Sequence, residues 1–138
     1  MPATAHHVGI TVSDLDRVVS FYRDVLGLDV LTRFSVSGEA FSTGVGVQGA
    51  TGSFAHLDAD GIRIELVEYE PEGAAVDDAA LNRPGATHLG LDVEDLDAFY
   101  EALPGDVETI SPPQTTESGT RICFLRDPEN NLVEILEQ

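Results

Sequence analysis

The chain carries the sequence HVGITVSDLD at residues 7–16 and nearly repeats it as HLGLDVEDLD at residues 88–97, with six of the ten positions identical. A second pair of segments also matches, because DADGIRIEL at residues 58–66 resembles DPENNLVEI at residues 127–135. Each half of the chain therefore begins with a histidine, His7 or His88, and ends with a glutamate, Glu65 or Glu134. Internal repeats decide the architecture before any local feature is considered. This repeat predicts two equivalent modules that carry four candidate metal ligands.

The hydrophobic pattern predicts the same order of elements in both modules. Alternating apolar residues at 6–12 and 88–93 predict strands with one face on the core. Apolar residues at helical spacing between positions 15 and 26 predict a helix capped by Ser13 or Asp14. Further strands are predicted at 29–36, 40–47, 53–57 and 62–69, then a helix at 96–103 and strands at 108–110, 121–125 and 132–136. The prediction is an α+β domain spanning residues 1–138, with module one at about 5–70, a linker at 71–87 and module two at about 88–138.

Length and composition predict an ordinary globular protein. The chain has 138 residues, of which 42% are hydrophobic, enough to bury a sizeable core. No apolar run reaches the roughly 18 residues that a transmembrane helix needs, and the N-terminal residues do not resemble a signal peptide. The single Cys123 lies in an apolar strand pattern, so it is predicted to be a small buried side chain rather than half of an internal disulfide. A cytoplasmic protein is the simplest interpretation.

The charge of the chain is strongly negative. It has 25 acidic residues and 7 basic ones, all arginine, which gives a formal net charge of −18. Such a surface repels nucleic acid and anionic membranes, so neither is expected as a partner. The acidic residues are scattered rather than gathered in a tail, which favours adaptation to a very salty cytosol over an acidic interaction face. We therefore expect a halophilic protein that is unstable in dilute buffer, because screening shrinks to ~3 Å only at about 1 M salt.

Strand alternation places the four repeated residues away from the core. If the helix of each module packs on the apolar face of the strands, then His7, Glu65, His88 and Glu134 all point to the opposite face. Glycines two residues after each histidine leave room beside it. A cluster of two carboxylates in a sheltered position needs a cation or protons to compensate it. Two imidazoles and two carboxylates suit one divalent ion, such as Zn, Ni, Co, Mn or Fe(II).

Two other histidines and an arginine receive different predictions. His6 alternates with His7 and is expected to face away from the site. His56 aligns with Leu125 of the repeat, which predicts a core or edge histidine rather than a ligand. Arg63 shares the face of Glu65 and could hold an anionic substrate or form a surface ion pair.

At this point the chain resembles the vicinal oxygen chelate superfamily, the group that includes glyoxalases, bleomycin-resistance proteins and extradiol dioxygenases. The resemblance rests on the motif H-V-G-I-x-V-x-D-L-D-x(4)-F-Y-x-D-x-L-G at residues 7–27, on residues 61–68 and on the segment at 127–135. It implies a glyoxalase-like fold of two βαβββ modules whose mixed sheet curls around a divalent metal, usually in a homodimer, with a small molecule as substrate.

The resemblance also implies a type of chemistry. Glyoxalase I-like lyases and epimerase-like isomerases of the family take a ligand from the first and the last strand of each module, and His7, Glu65, His88 and Glu134 fill these four positions. The enzyme would move a proton next to a carbonyl through a metal-stabilised enediolate, with Glu65 or Glu134 as general base. Thr11 stands where glyoxalase I has an arginine that contacts glutathione, and Tyr69 where it has an asparagine, which argues against glutathione as the thiol.

Two alternatives remain open at the level of sequence. An extradiol-type dioxygenase would hold Fe(II) through His7, His88 and Glu134, with Glu65 off the metal. A drug-binding protein of the bleomycin-resistance type would bind a small molecule without metal in a cavity lined by Phe and Tyr. The candidate substrate-binding residues in any of these proteins are Arg63, Thr11 and Phe124.

Overall fold

A computed structural model describes residues 1–76 and 80–138 of the chain. The described residues form two compact units, Met1–Ala75 and Val76–Gln138. Residues 77–79 of the predicted linker lie outside the described part. No helix within the described ranges is long and apolar enough to cross a membrane.

The first unit contains one mixed sheet and two helices. Its elements are β1 (Val8–Thr11), α1 (Leu15–Asp24), β2 (Asp29–Val36), α2 (Glu39–Val45), β3 (Thr51–Asp58) and β4 (Arg63–Glu70). The strand order is β1-β4-β3-β2, with β1 parallel to β4 and the other pairs antiparallel. The parallel pairing places the beginning of the module, which carries His7, beside its last strand.

The second unit repeats this arrangement with a shorter chain. Its elements are β5 (Leu89–Asp92), α3 (Leu96–Glu101), β6 (Gln114–Thr115), β7 (Arg121–Arg126) and β8 (Leu132–Glu137). The strand order is β5-β8-β7-β6, again with the first strand parallel to the last. The second unit is thus a βαβββ module, and the first has the same order with α2 added. The predicted α+β class and repeated module are confirmed.

The apolar faces of the two sheets face the helices, as the alternation predicts. In the first unit Ile64 and Leu66 are fully buried, and the neighbouring Glu68 accepts a hydrogen bond from the first amide of α1. In the second unit Val133 and Ile135 are buried in the same way, and Glu137 reaches the first amide of α3. Glu65 and Glu134 alternate with these residues and therefore point to the opposite face.

Three predicted details of the fold are wrong. Residues 40–47 do not form a strand, because Glu39–Val45 is the helix α2. The strand predicted at 108–110 is reduced to a single antiparallel bridge between Thr109 and Leu125, and the paired strand β6 lies at Gln114–Thr115. Val8 lies on the predicted face, opposite the buried Ile64, but its predicted burial is wrong: it is 42% exposed on the edge strand β1, whereas Val12 is buried.

Candidate functional site

The first histidine and glutamate meet across the parallel strand pair of the first unit. Gly9 of β1 lies opposite Glu65 of β4 in the register, and the side chain of His7, which directly precedes β1, reaches Glu65 on the same face. His7 Nε2 lies 3.4 Å from Glu65 Oε1. A Cβ atom at Gly9 would lie 3.8 Å from that same oxygen, so glycine keeps the space beside the carboxylate open.

The second histidine and glutamate meet in the same way. Gly90 of β5 lies opposite Glu134 of β8, and His88 Nε2 is 3.3 Å from Glu134 Oε1. A Cβ atom at Gly90 would lie 3.8 Å from Glu134 Oε1. The structure therefore brings the four predicted ligands together as two equivalent pairs, one in each unit. That both pairs bind one ion stays a prediction.

Each pair has the chemistry and spacing of two ligands of one metal ion. The side chains are only partly exposed, at 36% and 15% for His7 and Glu65, and 38% and 21% for His88 and Glu134. Ligand atoms bound at about 2.0–2.2 Å to a tetrahedral ion lie roughly 3.3–3.5 Å apart, which matches both pairs. Within the described ranges no group of three or more His, Cys, Asp or Glu residues is placed to hold an ion. Each pair alone is therefore smaller than the set of three or four protein ligands that usually holds a metal ion.

His56 joins the first pair, which the sequence did not indicate. His56 of β3 lies directly opposite Glu65 of β4, and its Nε2 is 2.7 Å from Glu65 Oε2. The residue is only 6% exposed. The prediction of a core or edge histidine describes its burial but misses this contact. In the second unit the position opposite Glu134 is occupied by Phe124, not by Leu125.

His6 also lies closer to the site than predicted. Its Nδ1 is 2.8 Å from the Nδ1 of His7, and its ring meets the ring of His56 edge-on at 6.5 Å between centroids. The expectation that His6 faces away is therefore wrong, because residues 6 and 7 precede β1 and do not follow strand alternation. This contact between the two Nδ1 atoms restricts how the ring of His7 can turn, so His6 can help to orient it.

The three candidate substrate-binding residues lie at different distances from the paired side chains along the strands. Arg63 is two residues from Glu65 on β4 and takes part in no ion pair within the described part of the chain, so the alternative of a surface ion pair finds no support. Phe124 contacts His88 directly, with ring centroids 5.1 Å apart. Thr11 is exposed at the end of β1, opposite Val67.

An aromatic cluster continues the face of Glu65 along the first sheet. Phe34 of β2 stacks on Phe54 of β3 at 5.0 Å between centroids, and Phe34 also contacts the ring of His56 at 5.1 Å. Phe41 of α2 contacts Phe54 at 6.1 Å and stacks on Tyr69 at 6.2 Å. The paired side chains of the first unit therefore border an apolar surface that could contact a small molecule.

A cleft of the first unit lies apart from the histidine–glutamate pair. It has a volume of about 780 Å³ and follows α2 and the loop after it, where its lining includes Glu39, Ser42, Gln48 and Thr51. Its lining contains neither His7 nor Glu65. The paired side chains therefore lie outside this cleft, and they are the better candidate site because each pair joins an imidazole to a carboxylate.

Two curated relatives resemble the chain over most of its length. It is 31% identical over 126 residues to "2-epi-5-epi-valiolone epimerase" of an Actinomyces species, covering 83% of this chain and 66% of that protein. It is 27% identical over 135 residues to a protein of Brassica oleracea var. gemmifera named "Putative lactoylglutathione lyase", covering 96% of this chain and 43% of that protein. The chain therefore spans less than two thirds of the length of either relative.

Solved structures share the fold. A glyoxalase family protein from Bacillus cereus is 27% identical and superimposes with a TM-score of 0.87, covering 99% of this chain and 95% of the other. Glyoxalase I of Leishmania major, 23% identical, superimposes with a TM-score of 0.67 over 99% of this chain and 87% of its own, which shows likeness of fold alone. Residues 4–135 match the family described as "Glyoxalase/Bleomycin resistance protein/Dioxygenase superfamily". With nearly its whole length matched, the chain belongs to the glyoxalase, bleomycin resistance protein and dioxygenase superfamily.

Proposed function

We propose that the chain is a metal-dependent enzyme, a glyoxalase-like lyase or epimerase-like isomerase that moves a proton next to a carbonyl of a small molecule. The observation that carries this proposal is the repeated histidine–glutamate pair, with Nε2–Oε1 separations of 3.4 Å and 3.3 Å. The names of the two curated relatives, a lyase and an epimerase, agree with this class of reaction. Members of the superfamily commonly use a divalent metal ion.

The proposed ligands are His7, Glu65, His88 and Glu134, two from each unit of one chain or from two chains of a homodimer. When bound, a divalent ion stabilises negative charge that develops on a substrate oxygen. The imidazoles hold their place through the backbone pairing of β1 with β4 and of β5 with β8. A carboxylate of Glu65 or Glu134 accepts the proton from carbon and returns it to the neighbouring carbon or to the other face.

The test follows proton exchange and metal content in matched variants. Protein purified in high salt is loaded with Ni²⁺ or Co²⁺, and incorporation of deuterium from D₂O into 2-hydroxy ketones and methylglyoxal hemithioacetals is followed by NMR. Glu65→Gln and Glu134→Gln keep a ligand oxygen but cannot accept a proton from carbon. We expect at least one of them to slow exchange by roughly 10²–10⁴-fold in excess metal, because general base catalysis supplies about that factor.

Glu70→Gln is the matched control, because Glu70 lies on the same strand β4 but is exposed and alternates away from Glu65. The Glu70→Gln variant should catalyse deuterium exchange into the substrate at the wild-type rate. Full exchange in both site variants would contradict the proposal. Iron-dependent cleavage of a catechol that survives Glu65→Gln would instead support the dioxygenase alternative.

One observation favours a second candidate, a metal-free binding protein. The aromatic cluster of Phe34, Phe41, Phe54 and Tyr69 borders the first pair, as the binding hypothesis requires. Such a protein would bind a planar aromatic compound with the same affinity before and after treatment with EDTA. An affinity that falls when the metal is removed would favour the enzyme.

A further inference from the structure

The two units differ at the position that faces the carboxylate. In the antiparallel hairpin of β3 and β4, His56 lies opposite Glu65, whereas Phe124 lies opposite Glu134 in the hairpin of β7 and β8. Both partners also contact the histidine of their own pair. The ring of His56 stacks on that of His7 at 6.0 Å between centroids, and the ring of Phe124 meets that of His88 at 5.1 Å. One carboxylate therefore has a hydrogen-bond donor beside it, and the other has an apolar ring.

His56 is held firmly in the position from which it donates. It is 6% exposed and packs edge-on against Phe34 at 5.1 Å between centroids. Its Nε2 lies 2.7 Å from Glu65 Oε2, a length typical of a hydrogen bond to an ionised acceptor. A carboxylate that binds a metal ion has acceptors only, so in the proposed site the proton of this bond belongs to His56 Nε2.

This hydrogen bond distinguishes the two oxygens of Glu65. Oε2 is engaged by His56, while Oε1 lies 3.4 Å from His7 Nε2 and beside the space left by Gly9. Partners outside the coordination sphere orient metal ligands and raise metal affinity. Glu134 has its contact with His88 at Oε1, and no side-chain hydrogen bond to its other oxygen is present among the described residues.

We propose that His56 is a positioning residue that holds Glu65 Oε2 and presents Oε1 as the single coordinating atom of that carboxylate. The inference rests on the proposed function, because it concerns the same metal site. It implies that the two carboxylates are not equivalent, although the repeat makes them look so. Glu65 is a fixed ligand, and the carboxylate that faces Phe124 is not restrained in this way.

The test measures metal binding without any substrate. The full chain is purified and its metal is removed with a chelator. Co²⁺ is then titrated into this protein, and binding is followed by the visible absorption bands of Co²⁺. The substitution His56→Phe gives the first unit the residue type that faces the glutamate in the second unit, where Phe124 lies opposite Glu134. We expect it to weaken Co²⁺ binding by roughly 10–100-fold, as loss of an outer partner does, and to change the band positions. His56→Gln carries an amide nitrogen at about the reach of Nε2 and should restore most of the affinity.

The outcomes separate the inference from the proposed function. If the wild-type protein binds no Co²⁺, both are overturned. If the wild type binds Co²⁺ and His56→Phe binds it equally, with the same spectrum, the positioning role is wrong while the metal site stands. If His56→Gln folds but binds as weakly as His56→Phe, a hydrogen-bond donor at this position is not what supports binding, and the inference is also overturned. If His56→Phe does not fold, His56→Asn, whose amide is too short to reach Oε2, takes its place and should bind weakly.

Discussion

Cys123 lies on the helix-facing side of the second sheet and is 3% exposed. Its Sγ donates a weak hydrogen bond to the carbonyl oxygen of Ser111 at 3.4 Å. Burial raises the pKa of this thiol above its usual value, because the charged thiolate would lose its hydration. The thiolate is the reactive form of cysteine, so Cys123 is shielded both by burial and by its protonation state. This agrees with the prediction of a small buried side chain.

We predict that Cys123 does not react with Ellman's reagent at neutral pH unless the protein is unfolded with urea. Because the folded pKa is raised, the stability that the neutral thiol contributes is complete below the pKa of the unfolded thiol. It is lost as the pH rises through the higher pKa of the folded state. The difference in thermal midpoint between the wild type and Cys123→Ala should therefore shrink above about pH 9. Rapid labelling of the folded protein at pH 7 would contradict the conclusion that the Cys123 thiol is buried and protonated.

The contact of His56 with Glu65 is a part of the site that the sequence did not predict. The repeat aligns His56 with Leu125, but the hairpin between β3 and β4 has one residue fewer in its loop than the hairpin between β7 and β8. The pairing register therefore shifts by one, and in a strand a shift of one residue exchanges the two faces. The repeat predicts the other site residues correctly as aligned pairs, because they lie outside the loops that differ in length: His7 with His88, and Glu65 with Glu134.

At the scale of single elements, the two repeated helices begin in the same way. The Asp14 side chain accepts a hydrogen bond from the amide of Arg17, and Glu68 Oε1 accepts one at 2.8 Å from the amide of Leu15. In the second unit the Asp95 side chain and Glu137 Oε1 bind the amides of Ala98 and Leu96 at 3.0 Å and 2.8 Å. The predicted cap at Asp14 is confirmed. The glutamates, which come from the last strand of each unit, satisfy amides that a helix leaves without partners at its N-terminus.

We predict that Glu68→Ala and Glu137→Ala each lower the free energy of unfolding by roughly 1–3 kcal/mol, because each leaves a half-buried amide without its charged acceptor. Glu68→Gln and Glu137→Gln keep an acceptor oxygen and should lose less. Urea unfolding followed by circular dichroism measures the change. Glu70→Ala is the control, since Glu70 is exposed at the end of β4. Equal stability of the alanine variants and this control would show that the strand-to-helix bonds do not matter.

The helix α2 shows why local pattern failed in one element. Phe41, Thr43, Val45 and Val47 alternate with small residues, a pattern typical of a strand. The helix forms instead between two glycines with positive φ, Gly38 before it and Gly46 after it, which side chains at these positions would disfavour. Phe41 then packs against Phe54 and Tyr69. Such tertiary contacts are not visible in a local pattern and can override it.

The displaced strand β6 has a simpler cause. The chain from residue 108 does approach β7, since the amide of Arg126 donates to Glu108 O and the amide of Ile110 donates to Phe124 O. Pro112 and Pro113 follow, and neither can donate an amide to a neighbouring strand. Regular pairing resumes only at Gln114–Thr115. The predicted strand ends at residue 110, before the two prolines, whereas the observed strand pairing with β7 begins after them.

At the scale of the whole molecule, the main feature is the formal net charge of −18. Among the described residues, three ion pairs join an arginine to a largely exposed aspartate: Arg23–Asp24, Arg33–Asp16 and Arg121–Asp97. The Arg23 hydrogen bond lowers the pKa of Asp24, but both groups are in water, where such pairs contribute little. The formal net charge of −18 shows that the few basic residues leave most of the negative charge unbalanced, and exposed carboxylates repel one another.

We predict that this repulsion makes stability depend strongly on salt. Raising KCl from 0.1 to 2 M shortens the screening distance from about 10 Å to less than about 3 Å, which removes most repulsion between exposed carboxylates. We expect the thermal midpoint to rise by roughly 5 °C or more, since about 1–2 kcal/mol produces such a shift in a chain of this length. The control variant replaces four exposed acids with their amides and should gain less from KCl: Glu72→Gln, Glu101→Gln, Asp106→Asn and Glu117→Gln. Sucrose, which acts by exclusion rather than by screening, should stabilise both proteins equally. An equal response of the two proteins to KCl would show that surface repulsion is not the cause, and the expectation of a halophilic protein would then lose its physical basis.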